Sequence, residues 1–407
     1  MAQDAEPQSV GFSRERLQRL DRHLAERWIE PGRIPGALVL VHRGGRTAHF
    51  SCQGYADRER SLPTRPDTIF RIYSMTKPLA SLAFMMLVEE GKVALDDPVA
   101  RHIPEWEGLE VYAGGEAPPF AERPPDRPML MVDLLRHTSG LTYGIQQRTP
   151  VDAAYRAEGV GVLGAEITLE QMVARLARLP LEFSPGEAWN YSVSTDVIGY
   201  LVGRISGQAF DAFLSERILG PLGMADTGFH VPADKAARLA ACYVAGPGGI
   251  RLSDDPGASP YLSPPTFLSG GGGLVSTADD YLKFCRMLIG RGELDGQRLV
   301  SRKTIELMAA NHLPGGRDLA SMSRSLFSEA TNEGVGFGLG FAVTLDPART
   351  LLPGSAGDLF WGGAAGTYFW VDPREQLSVV FMTQTLGGDN QRLRRELRTL
   401  VYSALVD

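Results

Sequence analysis

Ile69-Phe70-Arg71-Ile72-Tyr73-Ser74-Met75-Thr76-Lys77-Pro78 opens on β-branched and aromatic residues that read as an extended segment and continues into a helix from Ser74 to about Glu90, where Gly91 stops it. Pro78 suits the first turn, because a first-turn proline gives up an N–H that has no intrahelical acceptor. Residues three apart share a helix face, so the Ser74 hydroxyl and the Lys77 amine converge on one side. A serine hydroxyl is a weak nucleophile without a base, and a lysine acts as a base only when its ammonium form is disfavoured. Partial burial and the positive end of a helix both act in that direction. The same helix end offers the Ser74 N–H to a developing oxyanion. Taken alone, S-x-x-K is also what a Ser N-cap followed by a surface lysine produces.

Outward from this stretch, both ends of the chain look alike. Leu17, Leu20, Leu24 and Trp28 recur at helical spacing behind Ser13 as N-cap, and Pro31-Gly32 ends that helix. Residues 37–41 and 47–52 read as strands joined by the hairpin Arg43-Gly44-Gly45-Arg46. Near the carboxyl end, residues 366–371 and 376–383 read as strands about Asp372-Pro373-Arg374, followed by a helix over 390–405. Strands and helices at both termini predict a mainly antiparallel sheet assembled from both ends and covered by terminal helices. The middle is helix-rich, with candidates at 169–179, 195–205 and 210–219. Residues 114–128 and 246–265 are too rich in Gly and Pro for regular elements, and loops of that length commonly rim a cleft.

The chain has 407 residues, long enough for a body of mixed structure with a second lobe. A net charge of -7 argues against a nucleic-acid partner. The near-apolar run over 79–88 is about half of the ~20 residues a membrane-spanning helix needs. Met1 to Ser9 is polar and acidic, unlike a secretory leader, which points to a cytoplasmic protein. Cys52, Cys242 and Cys285 are odd in number and far apart, as befits reduced, buried thiols.

Two further motifs bear on chemistry. Trp189-Asn190-Tyr191-Ser192-Val193 follows the turn Ser184-Pro185-Gly186 and precedes a helix, placing the Tyr191 phenol where it can relay protons or simply pack. Phe360-Trp361-Gly362-Gly363-Ala364-Ala365-Gly366 enters a strand, where small residues let substrate lie against backbone and the Ala364 N–H is a second oxyanion donor; a plain glycine-rich turn is the alternative. No G-x-S-x-G elbow and no H-E-x-x-H occurs. His137, in a Thr-Ser-Gly turn, reads as structural.

In this order, Ser74-Met75-Thr76-Lys77, Tyr191-Ser192-Val193 and Trp361-Gly362-Gly363 resemble the three active-site motifs of the family VIII carboxylesterases, which share the fold of class C β-lactamases and penicillin-binding proteins. Leu134 to Leu141 and Ser269 to Thr277 look like the same superfamily, and the resemblance runs from about Phe12 to the end. It implies an α/β (α+β) fold, with a discontinuous sheet domain over 1–105 and 270–407, a mainly helical region over 106–269, and Tyr191 at the cleft between them. By the same resemblance Ser74 is nucleophile, Lys77 and Tyr191 are the base pair, Ser74 and Ala364 are oxyanion donors, and Trp361, Gly362 and Gly363 meet the substrate. The partner implied is a small-molecule ester, with no metal and no organic cofactor; oligomeric state is left open. Two departures from the β-lactamase pattern favour a neutral ester: Val193 stands where that pattern has Asn, and Trp361 stands where it has a Lys that pairs with a carboxylate. A β-lactamase, a D-alanyl-D-alanine peptidase, an acyltransferase and an inactive scaffold are the competing readings.

Overall fold

The computed structural model describes residues 4–324 and 333–407. Its centre is an eight-stranded antiparallel sheet built from two distant parts of the chain. The first part gives β1 (Gly36–Arg43), β2 (Arg46–Asp57) and β3 (Leu62–Pro63). The second gives β4 (Val335–Phe337), β5 (Ala342–Thr344), β6 (Leu359–Gly362), β7 (Tyr368–Asp372) and β8 (Leu377–Met382). They lie side by side in the order β4-β5-β6-β7-β8-β1-β2-β3, so the two halves meet where Leu40 pairs with Val380. Gly44 and Gly45 both adopt positive φ, 56° and 81°, the primed-turn geometry whose twist matches a two-residue hairpin.

Five helices matter for the site: α1 (Arg14–Leu24), α2 (Thr76–Glu89), α3 (Ser194–Ser206), α4 (Ala278–Ile289) and α5 (Asn390–Ser403). Successive residues of a strand point to opposite faces. Accordingly Phe369 of β7 meets Tyr281 of α4, ring centroids 5.0 Å apart, while Trp370 stacks on Tyr402 of α5 at 6.3 Å. Helices thus cover both faces of the sheet, and β1 is buried from Gly36 to His42, apolar as far as Val41. The terminal helices are tied together by Glu396, which accepts from Trp28 Nε1 at 2.9 Å and lies 2.8 Å from His23 Nε2. Every residue of α2 from Thr76 to Leu87 is buried, which is why its sequence is apolar all round rather than striped.

Several expectations need correction. The helix does not open at Ser74: Tyr73–Met75 is a 3-10 turn and the α-helix starts at Thr76. Only Phe70–Arg71 of the preceding run is a strand, paired with Val275–Ser276. The first helix passes into a π turn at Ala25–Ile29, and the candidate over 210–219 splits into Phe210–Leu214 and a π turn. Both Gly/Pro-rich stretches contain strands, Ala121–Arg123 against Val111–Gly114 and Gly249–Asp254 against Cys242–Gly246. Neighbouring strands supplied partners that local composition does not advertise. The three cysteines are free, and burial raises the thiols, Cys52 to about 11. Among the described residues no helix is long and apolar enough to cross a membrane.

Candidate active site

The approach to Ser74 is held rigidly. Arg71, with no exposed surface, donates from Nε to Asp254 Oδ2 at 2.7 Å, from Nη1 to the Ala240 carbonyl at 2.6 Å and from Nη2 to Ser259 Oγ at 3.0 Å. The chain then turns sharply at Tyr73, whose φ of 44° is left-handed for a bulky residue, a conformation costing roughly 1–3 kcal/mol that surrounding structure must impose. Such strain is concentrated at functional sites, and here it presents the next residue, Ser74, to the first turn of α2.

Lys77 Nζ donates to Ser74 Oγ at 3.2 Å and to the Gly271 carbonyl at 2.7 Å. It lies 4.3 Å from the centre of the Tyr191 ring and 5.6 Å from that of Tyr143. Both Ser74 and Lys77 are buried, at 8% and 1% exposure, so any charge change between them occurs with little screening by water. Tyr191, just ahead of α3, accepts a hydrogen bond at its hydroxyl from Trp361 Nε1 at 3.3 Å, and its carbonyl takes one from Gln146 Nε2 at 2.6 Å. Trp361 itself lies one residue before the end of β6 and is buried.

The segment after β6 lies against Ile72, two residues before Ser74. Thr367 Oγ1 donates to the Ile72 carbonyl at 3.4 Å, and a Cβ on Gly363 would collide with that same carbonyl. Gly363 N–H closes the turn on the Thr367 carbonyl at 2.8 Å. Arg394 of α5 clamps the turn by donating to the Gly363 and Thr367 carbonyls at 2.7 and 2.9 Å. Gly362 is shaped by the same guanidinium, which any Cβ there would overlap. Ala364 at the tip is half-buried, with its carbonyl accepting from Asn390 Nδ2 at 3.2 Å. The structure therefore brings Ser74, Lys77, Tyr191 and Trp361 into one chain of contacts, with Gly363 beside Ile72 and Gly362 turned toward Arg394.

Three participants escaped the sequence reading. Asp196, on the first turn of α3, accepts at Oδ1 from Ser269 Oγ at 2.5 Å and from the Gly271 N–H at 3.0 Å. Its burial pushes the carboxyl up, while the Ser269 bond, the Lys77 charge and the Gly271 N–H pull it down. The Gly271 peptide thus faces a carboxylate at its N–H and an amine at its carbonyl. An acidic residue in a helix's first turn is ordinary in sequence, so nothing marked Asp196. Tyr143, beside Lys77 and Tyr191, came from an unremarked loop. Arg394 lay unnoticed in an arginine-rich helix. His137 is buried, its Nδ1 3.2 Å from Ser192 Oγ and its ring 5.0 Å from Tyr191. Burial and the nearby Lys77 charge hold its pKa well below the usual imidazole range, so it is neutral.

A sheet closed by both chain ends, with a Ser-x-x-Lys pair where a buried helix begins, defines a β-lactamase-like fold. Residues 19–403 match the family model described as Beta-lactamase, and the chain belongs to that family. Esterase EstB of Burkholderia gladioli is 34% identical over 408 residues, covering 94% of this chain and 93% of that protein. Protein Rv1367c of Mycobacterium tuberculosis is 39% identical over 358 residues, 87% of each. Among solved structures, EstCE1, described as a hydrolase with promiscuous acyltransferase activity, superposes with a TM-score of 0.80 at 30% identity, covering 97% of this chain and 99% of that one.

Proposed function

We propose that this protein is a serine carboxylesterase for short-to-medium acyl esters. The observation that carries the reading is the 3.2 Å bond between Lys77 Nζ and Ser74 Oγ, in a site whose third motif contributes an indole to Tyr191 rather than a free cation. Lys77 and Tyr191 take the Ser74 proton as Oγ attacks the ester carbonyl. The oxyanion lies between the N–H groups of Ser74 and Ala364. Tyr191 returns a proton to the departing alkoxide, releasing the alcohol and leaving acyl-Ser74. Water then attacks with the same base, freeing the acid and Ser74. In this reading the cleft lies between the part formed by 1–105 with 270–407 and the part formed by 106–269, where Tyr191 faces Lys77. Trp361 narrows the site beside Tyr191, and three free thiols suit a reducing, cytoplasmic setting.

Acyl transfer to an alcohol in place of water is the second reading, supported by the description of EstCE1. A fluorophosphonate probe is expected to label the wild type and not Ser74→Ala, with ester turnover lost in parallel by a factor on the order of 10³ or more. Equal labelling of both proteins sinks the covalent mechanism. Cephalosporin cleavage with negligible ester turnover would replace esterase by β-lactamase.

A further inference from the structure

A cavity of about 200 Å³ has Tyr73, the residue before Ser74, in its wall. Tyr73, Leu163, Phe229, Tyr261, Phe267 and Gly273 form its walls, and neither Tyr191 nor Trp361 is among its lining. Three connections join it to the reacting groups. Tyr73 is bonded to Ser74, and its left-handed turn places Tyr73 in the cavity wall while the next side chain meets Lys77. Gly272, adjacent to the carbonyl that holds Lys77, is so placed that a Cβ would lie 3.7 Å from both Leu163 and the Tyr73 backbone. Gly161, two residues before Leu163, packs against Val193, where a Cβ would come within 2.5 Å of Cγ1.

Two of the three polar side chains in the wall, Tyr73 and Asp254, are already engaged, and the third is the Tyr261 phenol. The Tyr73 hydroxyl lies 3.8 Å from Cys242 Sγ. Asp254, the one carboxylate in the wall, is paired with Arg71 at 2.7 Å and accepts from Ser259 Oγ at 3.1 Å. Arg71 in turn sits beneath the Tyr261 ring, 5.3 Å from its centre. What remains to meet a ligand is aromatic and aliphatic surface with the Tyr261 hydroxyl beside it. A dry apolar cavity of about 150 Å³ suffices for benzene, so this one has room for a single aryl ring.

We infer that this cavity receives the acyl half of the ester and that its shape and walls select a compact aryl acyl group, of the phenylacetyl class. The inference rests on the esterase reading above. In that reading the leaving oxygen collects its proton from Tyr191, which is bonded to Trp361, so the alcohol lies on their side. The cavity has neither residue and belongs to the other half of the substrate.

Two ester series separate the halves. With 4-nitrophenol as the common alcohol, wild type is expected to favour phenylacetate over acetate by about ten-fold in kcat/KM. Leu163→Trp, at a position 40% exposed on a loop, fills the cavity and is expected to reduce that preference by about ten-fold. Phe267→Ala enlarges it and is expected to raise the ratio of naphthylacetate to phenylacetate several-fold. With acetyl as the common acyl group, the ratio of 4-nitrophenyl to 1-naphthyl ester should stay within about two-fold in both variants. Thermal melts confirm folding. An unmoved acyl ratio in folded Leu163→Trp, or a change in the alcohol ratio instead, overturns the assignment. A wild type that hydrolyses both acyl groups without preference overturns the cavity assignment alone, whereas one that hydrolyses no ester overturns the esterase reading.

Discussion

Asp196 has no exposed carboxylate surface to speak of, and its partners explain its presence. Through the Gly271 peptide it fixes the carbonyl that accepts from Lys77, and its charge acts on that amine directly. Asp196→Asn keeps the acceptor and removes the charge. A neutral amide supports a neighbouring ammonium less than a carboxylate does, so the acid limb of kcat/KM should move to lower pH, by about one unit. Asp196→Ala also frees Gly271 and should lower kcat/KM by about ten-fold. An Asp196→Asn enzyme with an unshifted pH profile would leave the residue a purely structural part. Residues of this kind were illegible beforehand for a definite reason. Ser74 and Lys77 lie three apart, so the chain itself displays their relation, and Tyr191 and Trp361 sit in recognisable local motifs. Asp196 meets Gly271 across 75 positions, and only the folded chain makes them neighbours.

Most elements were legible from period and punctuation. Ser13, Gly44-Gly45 and Asp372-Pro373-Arg374 mark boundaries that the structure keeps within a few residues. The short strands over 121–123 and 249–254 were not, since three to six residues among Gly and Pro gain their strand character from a partner. The α5 helix was visible as a helix, but its duty was not. Arg394 satisfies two carbonyls of the turn that carries Ala364, and Arg398 pairs with Asp358 at 2.5 Å. Arg394→Leu should strip a charge-assisted hydrogen bond from each carbonyl, leaving only the Gly366 N–H on Gly363 and the Gly363 N–H on Thr367, and cost about 1–3 kcal/mol of stability. If Ala364 stabilises the oxyanion, the loosened turn should lower kcat by about ten-fold or more while KM moves little, because the donor acts chiefly in the transition state. Denaturant unfolding and steady-state kinetics on one acetyl ester read both effects. Equal losses in kcat/KM and stability with kcat unchanged would remove Ala364 from that role.

At the scale of the molecule, β1 joins both ends of the chain: it pairs with β2 on one side and with β8, some three hundred residues later, on the other. A charge forced into β1 is therefore felt by global unfolding rather than by local fraying. His42 lies on this strand at 6% exposure, and burial together with the Arg286 guanidinium pushes its pKa down to about 4, against a weaker opposing pull from Asp4. The unfolded chain protonates near 6.5, so between about 6.5 and 4 it binds more protons than the native state does. The neutral-His42 contribution is thus fully present above pH 6.5 and is lost as pH falls toward 4, a span of 2.5 units worth about 3 kcal/mol. His137 acts in the same direction. Asp133, held below the usual carboxylate range by Arg127, the Leu130 N–H and Arg136 against its burial, contributes stability that is present above about pH 4 and lost only below it. Wild type should therefore lose urea resistance from pH 6.5 downward, and His42→Gln should lose markedly less over that window. The comparison cancels the carboxyls that burial raises, Asp196, Asp280, Asp358, Glu182 and Glu122, because both proteins keep them. Parallel stability curves for the two proteins from pH 7 to 4 would show that His42 is protonated in the native sheet without penalty, and the acid sensitivity would then have to come from the other histidines that burial pushes down, His137, His102 and His312.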